Sequence, residues 1–241
     1  MSILVMRPFP DNEKTAAKLR AAGLGVLLSP VLQFEPMPIY DDHSTSYDAV
    51  VVTSANALRG IENQPILTHL KSVKLFAVGD STAELAREFG FRNVLSASGD
   101  SGALRELVKA DVPAGSTLCY LAGSDLGRDL TTELGERGYT VVTHTTYRMN
   151  PSPHFTDTVK AAFAAGDIDA VLHYSRRSAK AFIEAVQKAG VEISAFSLPQ
   201  CCISDGVAAV LREAGAARAL VAQSPDENAI FDLLVRATRS A

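Results

Sequence analysis

Short polar turns follow the apolar segments of this chain, and they supply its most suggestive chemistry. Each turn combines Ser, Thr, Asp, Asn or Gly at the point where a predicted strand ends and a predicted helix begins. The first backbone N–H groups of such a helix lack partners and carry a partial positive charge, so they can bind carboxylates or phosphates. The same residue types cap helices without any ligand, so each single turn also has a purely structural interpretation. The candidate binding residues are Ser54, Ala55, Asn56, Gly79, Thr82, Gly123, Ser124, Ser175 and Ser204.

Two arginines lie beside these turns and could bind an anionic group. Arg7 follows the first predicted strand, and Arg176 follows Ser175. An arginine binds a carboxylate through two parallel hydrogen bonds, so both are candidate substrate-binding residues. Arg128 and Arg148 also lie near turns, but a solvated surface charge is the simpler interpretation for them.

Tyr147 is a candidate proton donor because it lies in a segment outside the repeated strand–turn–helix pattern. A phenol with an ordinary pKa of about 10 stays protonated at neutral pH and can donate to a leaving oxygen. From the residue pattern alone, a packed ring with a hydrogen-bonded hydroxyl is the simpler interpretation.

Several common catalytic motifs are absent from the sequence. It contains no G-x-x-x-x-G-K-[ST], no G-x-G-x-x-G after a strand and no G-x-S-x-G, which argues against P-loop, dinucleotide-binding and α/β-hydrolase sites. The 5 histidines and 3 cysteines show no metal-ligand spacing, so no metal site is expected.

Composition and charge limit the possible partners. The net charge is −4, from 23 basic and 27 acidic residues, and no basic stretch appears, so nucleic acid is not an expected partner. No apolar segment approaches the length of a membrane span, and the opening apolar residues are too few for a signal peptide. Together with three cysteines that suit a reducing compartment, these features predict a cytoplasmic protein.

The turns are predicted to join buried strands to amphipathic helices. Apolar segments predict strands at 49–52, 75–78, 118–121 and 170–172. In the following helices, apolar residues recur on one face, as Ala83 and Ala86 do. Strand–turn–helix units repeated about four times per domain predict a parallel sheet covered by helices. Glycines placed to end the helices in a left-handed conformation are Gly23, Gly90, Gly138, Gly190 and Gly215.

The sequence contains an internal repeat, and its two copies begin at different points of the repeated pattern. The similar segments are 47–58 and 168–179, 77–90 and 202–215, and 96–108 and 222–234. The first copy ends in a fourth segment, 120–142, whose counterpart is at the opposite end of the chain, at 3–28. We therefore expect an α/β protein with two similar Rossmann-like or flavodoxin-like parallel-sheet domains that face a shared cleft. The expected divisions are domain 1 at 1–33 plus 152–241, an inserted domain 2 at 40–143, and a two-strand linker at 34–39 and 144–151.

A set of short motifs resembles the uroporphyrinogen-III synthase family over the whole chain. These motifs are T-S-A-N-A at Thr53–Ala57, V-G-x-x-T-A at Val78–Ala83, L-x-x-x-L-x-x-x-G-Y-x-V at Leu130–Val141 followed by Tyr147, and S-x-x-S-A-x-x-F at Ser175–Phe182. The specificity of the resemblance comes from the order and spacing of these motifs along the chain. The resemblance implies two α/β domains joined by a two-strand linker, with the first domain discontinuous.

The resemblance also implies an activity. It suggests a cofactor-free lyase that removes water from hydroxymethylbilane, closes the ring and inverts the last pyrrole to give uroporphyrinogen III. Tyr147 matches the linker tyrosine proposed to assist departure of the hydroxyl, and Ser54, Thr82 and Ser175 match family turn residues. The chain departs from the family at Ser204 and Val207, where a Gly and a Thr are frequent, and at His173-Tyr174, where an apolar-Thr pair is more usual.

The expected partners follow from that resemblance. They are the substrate hydroxymethylbilane, the product uroporphyrinogen III and a transient hand-over from hydroxymethylbilane synthase to a monomeric enzyme. Two other classes stay open: a cytosolic two-domain module that binds a small carboxylate or phosphate without catalysis, and an enzyme acting on other phosphorylated or carboxylated metabolites.

Overall fold

The chain divides into two compact units. In a computed structural model, which describes residues 1–40, 44–125 and 130–239, unit 1 comprises Met1–Phe34 and Asn150–Ala241, and unit 2 comprises Glu35–Met149. The chain therefore leaves unit 1 once and returns to it once.

Strands and helices alternate through most of the chain. The strands are β1 (Ser2–Val5), β2 (Gly25–Leu28), β3 (Leu32–Pro36), β4 (Ala49–Val52), β5 (Lys74–Ala77), β6 (Val94–Ser96), β7 (Thr117–Gly123), β8 (Thr140–Pro151), β9 (Ala170–His173), β10 (Gln200–Cys202) and β11 (Ala219–Val221). The helices are α1 (Asp11–Ala21), α2 (Ala55–Arg59), α3 (Ile66–Leu70), α4 (Asp80–Glu88), α5 (Ser101–Asp111), α6 (Leu130–Gly135), α7 (Asp157–Ala165), α8 (Arg176–Ala189), α9 (Glu192–Ser197), α10 (Asp205–Glu213) and α11 (Glu227–Arg239).

Unit 1 contains a five-stranded sheet in the order β11-β10-β9-β1-β2. Each neighbouring pair is parallel, as in Ile3 opposite Ala170 and Cys201 opposite Leu172. Within the unit this is the 2-1-3-4-5 order of flavodoxin-like folds, in which the strand order reverses between β1 and β9. Ligands of such folds bind beyond the carboxyl ends of the strands at that reversal.

Unit 2 repeats this arrangement with a different starting point. Its strands follow the order β8-β7-β4-β5-β6, and β3 adds a further strand beside β8. The two sheets have the same strand order. The sheet positions held by β9, β10, β11, β1 and β2 in unit 1 are held in unit 2 by β4, β5, β6, β7 and β8, respectively. Helices α4 and α10 begin and end 125 residues apart, as the repeat predicts. The reversal in unit 2 lies between β4 and β7.

Both sheets are covered on both faces, which explains why their strands are almost continuously apolar. In unit 1, Ile3 and Leu172 pack with Ile230 of α11, while His173 lies on the other face against Phe182 of α8. In unit 2, successive residues of β4 likewise point to opposite faces of the sheet. Val50 and Val51 accordingly belong to different core clusters.

The predicted α/β class with parallel sheets is confirmed. The strand predicted at 49–52 has those bounds, and the strand predicted at 75–78 begins and ends one residue earlier. All five predicted helix-ending glycines have a positive φ, from 66° at Gly190 to 96° at Gly215. Of the described helices, none is both long enough and apolar enough to cross a lipid bilayer.

Candidate functional site

The predicted binding residues of unit 2 lie at one edge of its sheet. The turns after β7, β4 and β5 are neighbours, because these three strands are adjacent and parallel. The turn after β4 contains Ser54 and leads into Ala55 and Asn56 at the start of α2, and the turn after β5 contains Gly79 and leads into Thr82 in the first turn of α4. Residues that are far apart in the sequence therefore meet at the carboxyl edge.

Ser54 is the N-cap of α2, and its hydroxyl accepts a hydrogen bond from the Asn56 backbone N–H at 3.2 Å. The Asn56 side-chain oxygen in turn accepts from Arg59 at 2.5 Å. This turn is thus ordered by its own side chains, as the structural interpretation of the sequence expects.

Gly79 begins α4 differently. No described side chain caps this helix, and no atom lies within 4 Å of the position that a Gly79 Cβ would occupy. The start of α4 therefore has no side-chain cap and has open space beside Gly79. Thr82, by contrast, is only 6% exposed and packs within the unit.

Gly123 and Ser124 lie where β7 ends, directly beside Tyr147 of β8. The Ser124 backbone N–H donates to the Tyr147 carbonyl at 2.9 Å, and the Ser124 side chain is exposed. The Tyr147 ring is half-buried and packs against the face of the sheet that carries α2 and α4.

A second tyrosine lies close to this edge and was not identified from the sequence. The Tyr120 hydroxyl is 3.4 Å from the Thr53 hydroxyl, in the turn after β4. Burial raises the pKa of the Tyr120 phenol, the hydrogen bond with Thr53 lowers it, and the nearby Tyr147 phenol adds to the rise. Tyr120 therefore stays neutral and can orient the Thr53 hydroxyl.

In unit 1, the turns after β9 and β10 contain Ser175, Arg176 and Ser204. Ser175 caps α8 by accepting from the Ser178 N–H at 3.1 Å, whereas no described side chain caps α10 at Ser204. Arg176 is exposed, and its stem lies 3.7 Å from the position of a Gly206 Cβ. It borders an open groove of about 680 Å³ between α8 and α10.

Two further cations, Arg177 and Lys180, also line this groove. Glu213 lines the groove as well, so three cations and one carboxylate give unit 1 a net basic surface here, whose charge suits a carboxylate ligand.

Arg7 lies at the strand-order reversal of unit 1, but it is engaged by protein groups. Its guanidinium donates to Glu227 at 3.1 Å and to Thr15 at 3.2 Å, and it lies 4.2 Å above the centre of the Tyr174 ring. It also pairs with Asp11 at 3.3 Å. These contacts tie the end of β1 to α1 and α11.

Glu227 is the centre of that network. Its carboxylate also accepts from Thr15 at 2.6 Å and from Lys18. Burial raises the pKa of Glu227, but the hydrogen bonds from Lys18 and Thr15 outweigh this, so the pKa lies below its ordinary value. Glu227 is therefore ionised at neutral pH and neutralises Arg7. Sequence patterns gave no sign of this partner, because it lies 220 residues from Arg7.

The remaining candidate cations do not join these groups. Arg148 forms a two-pronged pair with Glu35, at 3.0 and 2.9 Å, and Arg128 lies outside the described residues. Among the side chains that the structure describes, no group of three or more His, Cys, Asp or Glu is arranged to bind a metal ion.

Comparisons with known proteins identify relatives of this fold. A family model described as uroporphyrinogen-III synthase HemD matches residues 13–232. A uroporphyrinogen-III synthetase from Helicobacter pylori 26695 superimposes with a TM-score of 0.68 at 19% identity, covering 98% of each chain. A mutant uroporphyrinogen III synthase from the extremely thermophilic bacterium Thermus thermophilus superimposes with a TM-score of 0.60 at 18% identity, covering 100% of each chain. A sequence comparison with curated proteins finds no match.

Proposed function

The chain belongs to the uroporphyrinogen-III synthase family, and we propose that Tyr147 and the polar turns of the two units carry the reaction of that family in this protein. The family comprises cofactor-free cyclising hydro-lyases, which convert hydroxymethylbilane to uroporphyrinogen III. Neither alternative class, a binding module or an enzyme of other metabolites, gains support from the family model or from the similar structures.

The observation that carries the proposal is the position of Tyr147. Its ring lies at the carboxyl edge of the unit 2 sheet, beside Gly123 and the exposed Ser124. Ligands of open parallel sheets bind at this edge near the strand-order reversal, and β7 is one of the two strands that form it. A phenol there can reach a bound substrate.

The reaction needs a proton for the hydroxyl that leaves. We infer that the Tyr147 phenol donates it, so that the hydroxyl departs as water and the substrate becomes an electrophilic azafulvene. The last pyrrole then attacks this carbon through its already substituted α-carbon, which gives a spiro intermediate. The bond from that α-carbon to the neighbouring methylene bridge breaks, the bridge carbon bonds to the other α-carbon of the now inverted ring, and the proton lost from that α-carbon restores the phenol. Conformational control of the reacting ends contributes more than acid strength, because closing the ring inverted requires one specific orientation.

The substrate carries many acetate and propionate groups, and the chain offers matching sites. We propose that carboxylates bind at the uncapped N-termini of α4 and α10, at Gly79 and Ser204, and beside Arg176. The Ser54, Ser124 and Ser175 hydroxyls are further donors. We assign Arg7 a structural role instead, since Glu227 and Asp11 already neutralise it.

Two finer features of the proposal concern the working state of the enzyme. We propose that it acts in the cytoplasm as a monomer, and that it receives hydroxymethylbilane in a transient contact with hydroxymethylbilane synthase. A rapid hand-over suits this substrate, because it also cyclises spontaneously to the type I isomer.

The activity is tested with the substrate itself. Purified protein is incubated with hydroxymethylbilane, the products are oxidised, and the porphyrin isomers are separated by chromatography. We expect the type III isomer, while an incubation without protein gives type I. Formation of type I alone in both incubations would overturn the proposed function.

The role of Tyr147 is tested by Tyr147→Phe, which removes the hydroxyl and keeps the ring. We expect kcat to fall by about tenfold or more, with KM and the thermal midpoint nearly unchanged, because only the proton donor is lost. Steady-state kinetics and thermal unfolding measure this. A variant as fast as the original protein would reduce Tyr147 to a packing residue.

A further inference from the structure

The ring of Tyr147 occupies the space that a side chain at position 123 would need. A Cβ on Gly123 would lie 2.7 Å from Tyr147 Cζ, 2.9 Å from its hydroxyl oxygen and 3.0 Å from Cε1. Carbon atoms that are not bonded pack at about 3.5–4.0 Å. The ring can therefore lie this close to the end of β7 only because residue 123 has no side chain.

A bulge in β8 brings the ring to this position. Ala122 is opposite Thr145, but the next residue of β7, Gly123, is opposite Tyr147, so Thr146 is an extra residue. A bulge of this kind changes the face to which the following side chains point. Without it, Thr146 and not Tyr147 would be opposite Gly123.

Hydrogen bonds fix the bulge from both sides. Thr146 is fully buried, and its hydroxyl donates to the Ala122 carbonyl at 3.3 Å, while its own carbonyl accepts from the Met37 N–H at 2.8 Å. The Ser124 N–H donates to the Tyr147 carbonyl at 2.9 Å. The backbone on each side of Tyr147 is thus fixed, so its ring reaches the end of β7 from a defined position.

We propose that Gly123 is a positioning residue for Tyr147 and makes no essential contact of its own with the substrate. This inference rests on the proposed role of Tyr147 in the reaction. It gives Gly123 a different part from that of the other turn residues, since its missing side chain sets where the phenol hydroxyl lies.

The substitution Gly123→Ala tests the inference with little expected change in the stability of the fold. The three atoms nearest the new methyl group all belong to the end of the Tyr147 side chain and none to the backbone, so we expect the ring to shift and the backbone to stay. We expect kcat to fall by about tenfold or more, because displacement of a reacting group by about 1 Å can cost up to a hundredfold. KM and the thermal midpoint should change little.

A double-mutant cycle separates positioning from direct contact. Tyr147→Ala clears the space beside residue 123, so adding Gly123→Ala to that variant should cause no further loss of kcat. An equal loss in both backgrounds would show that Gly123 contacts the substrate or supports the fold, and would overturn the inference. The matched control is Gly135→Ala in the same unit, where no atom lies within 4 Å of the new methyl group, and it should leave kcat unchanged.

A spectroscopic measurement makes the inference independent of activity. The chain has 6 tyrosines, so tyrosine labelled with ¹³C at Cζ gives few signals, and the signal lost in Tyr147→Phe identifies Tyr147. We expect Gly123→Ala to shift that signal and Gly135→Ala to leave it in place. An unshifted signal would overturn the positioning role. A shifted signal with unchanged kcat would instead refute the proposed role of Tyr147 in the reaction.

Discussion

His173 shows how the surroundings of one residue determine its protonation. Its Nε2 is 2.8 Å from Gln200 Oε1, and the Gln200 amide nitrogen donates to the carbonyls of Ala195 and Leu198. Because both amide protons of Gln200 are used, its oxygen must accept, and His173 must carry its proton on Nε2. Within the described part of the chain, His173 Nδ1 has no hydrogen-bond partner. The ring is therefore held neutral.

This environment predicts a loss of stability in acid. Burial lowers the pKa of His173 to about 4, against an ordinary value of 6.5, although its bond to Gln200 acts in the opposite direction. Well above pH 6.5 neither the folded nor the unfolded state binds the proton, and the penalty is absent. As the pH falls from 6.5 to 4, the unfolded state binds a proton at His173 before the folded state does. This lowers the free energy of unfolding by about 2 kcal/mol at pH 5 and roughly 3 kcal/mol at pH 4.

The variant His173→Gln removes this titration and keeps a donor for Gln200. We expect its free energy of unfolding, measured by urea denaturation, to change less between pH 7.5 and pH 5 than that of the original protein, by about 2 kcal/mol. The comparison of slopes cancels the other titrating groups, which both proteins share. Equal slopes would mean that His173 is hydrated, and not isolated, in the folded state.

At the scale of single residues, local sequence patterns predicted where polar side chains lie along the chain, but not which distant residues they contact. Ser54 and Ser175 were predicted in helix-starting turns, and both cap helices. Arg7 was predicted beside a turn, but its neutralisation by Glu227 depends on a contact across 220 residues of sequence. Tyr120 was missed because it lies within an apolar strand, and only the folded sheet shows that its hydroxyl reaches the turn after β4.

Among the secondary-structure elements, α2 and β8 approach each other unusually closely. The helix ends at Gly60, and a Cβ there would lie 2.8 Å from the Thr146 carbonyl carbon and 2.9 Å from its Oγ1. In contrast to Gly123, the obstacle is mainly backbone, which cannot rotate away. The approach fixes β8 at the bulge that precedes Tyr147.

We therefore expect Gly60→Ala to destabilise the protein by about 1–3 kcal/mol, the usual cost of overpacking a buried contact. Its φ of −62° is an ordinary helical value, so the cost is steric and not conformational. Urea denaturation measures it, with Gly135→Ala as the control that adds a methyl group in open space. Equal stability of the two variants would show that the helix can move away from β8.

Sequence patterns predicted most of the strands and helices but not the bulge within β8. Apolar segments and helix-ending glycines gave β4, β5 and α4 to within about a residue or two, which is the usual uncertainty of element ends. Residues 144–151, expected in the linker, continue β8 from Thr140 to Pro151. The bulge at Thr146 left no mark in the sequence, because it depends on hydrogen bonds to β7 and on the glycine of another element.

For the molecule as a whole, the repeat carried the most information. It predicted two similar parallel-sheet domains with different starting points in the chain, and the two sheets share one strand order that starts at different strands. One domain can start at a different strand from the other because each domain has its own separate sheet. The different starting points also mean that unit 1 must be assembled from both ends of the chain.

Each unit should therefore fold without the other. Among the residues that the structure describes, the clusters that contain Val50 and Val51 lie wholly in unit 2, and the cluster that contains Ile3 lies wholly in unit 1, so each unit has its own apolar interior. In unit 1 the two chain crossings are tied together, since the Ser152 N–H donates to the Val31 carbonyl at 2.8 Å. A short glycine-serine linker can then join Phe34 to Asn150 without strain.

We expect two separate proteins, residues 35–149 and unit 1 closed by that linker, to show α/β circular dichroism and cooperative unfolding in urea. The entropic cost of closing unit 1 is small, because loop-closure entropy rises only slowly with loop length and the linker replaces an entire folded unit. An equal-length linker inserted between Gly115 and Ser116 of unit 2 is the control for tolerance of added chain. If residues 35–149 lack cooperative unfolding while unit 1 folds, unit 1 is required for unit 2. If neither folds, the two units form one cooperative structure despite their separate cores.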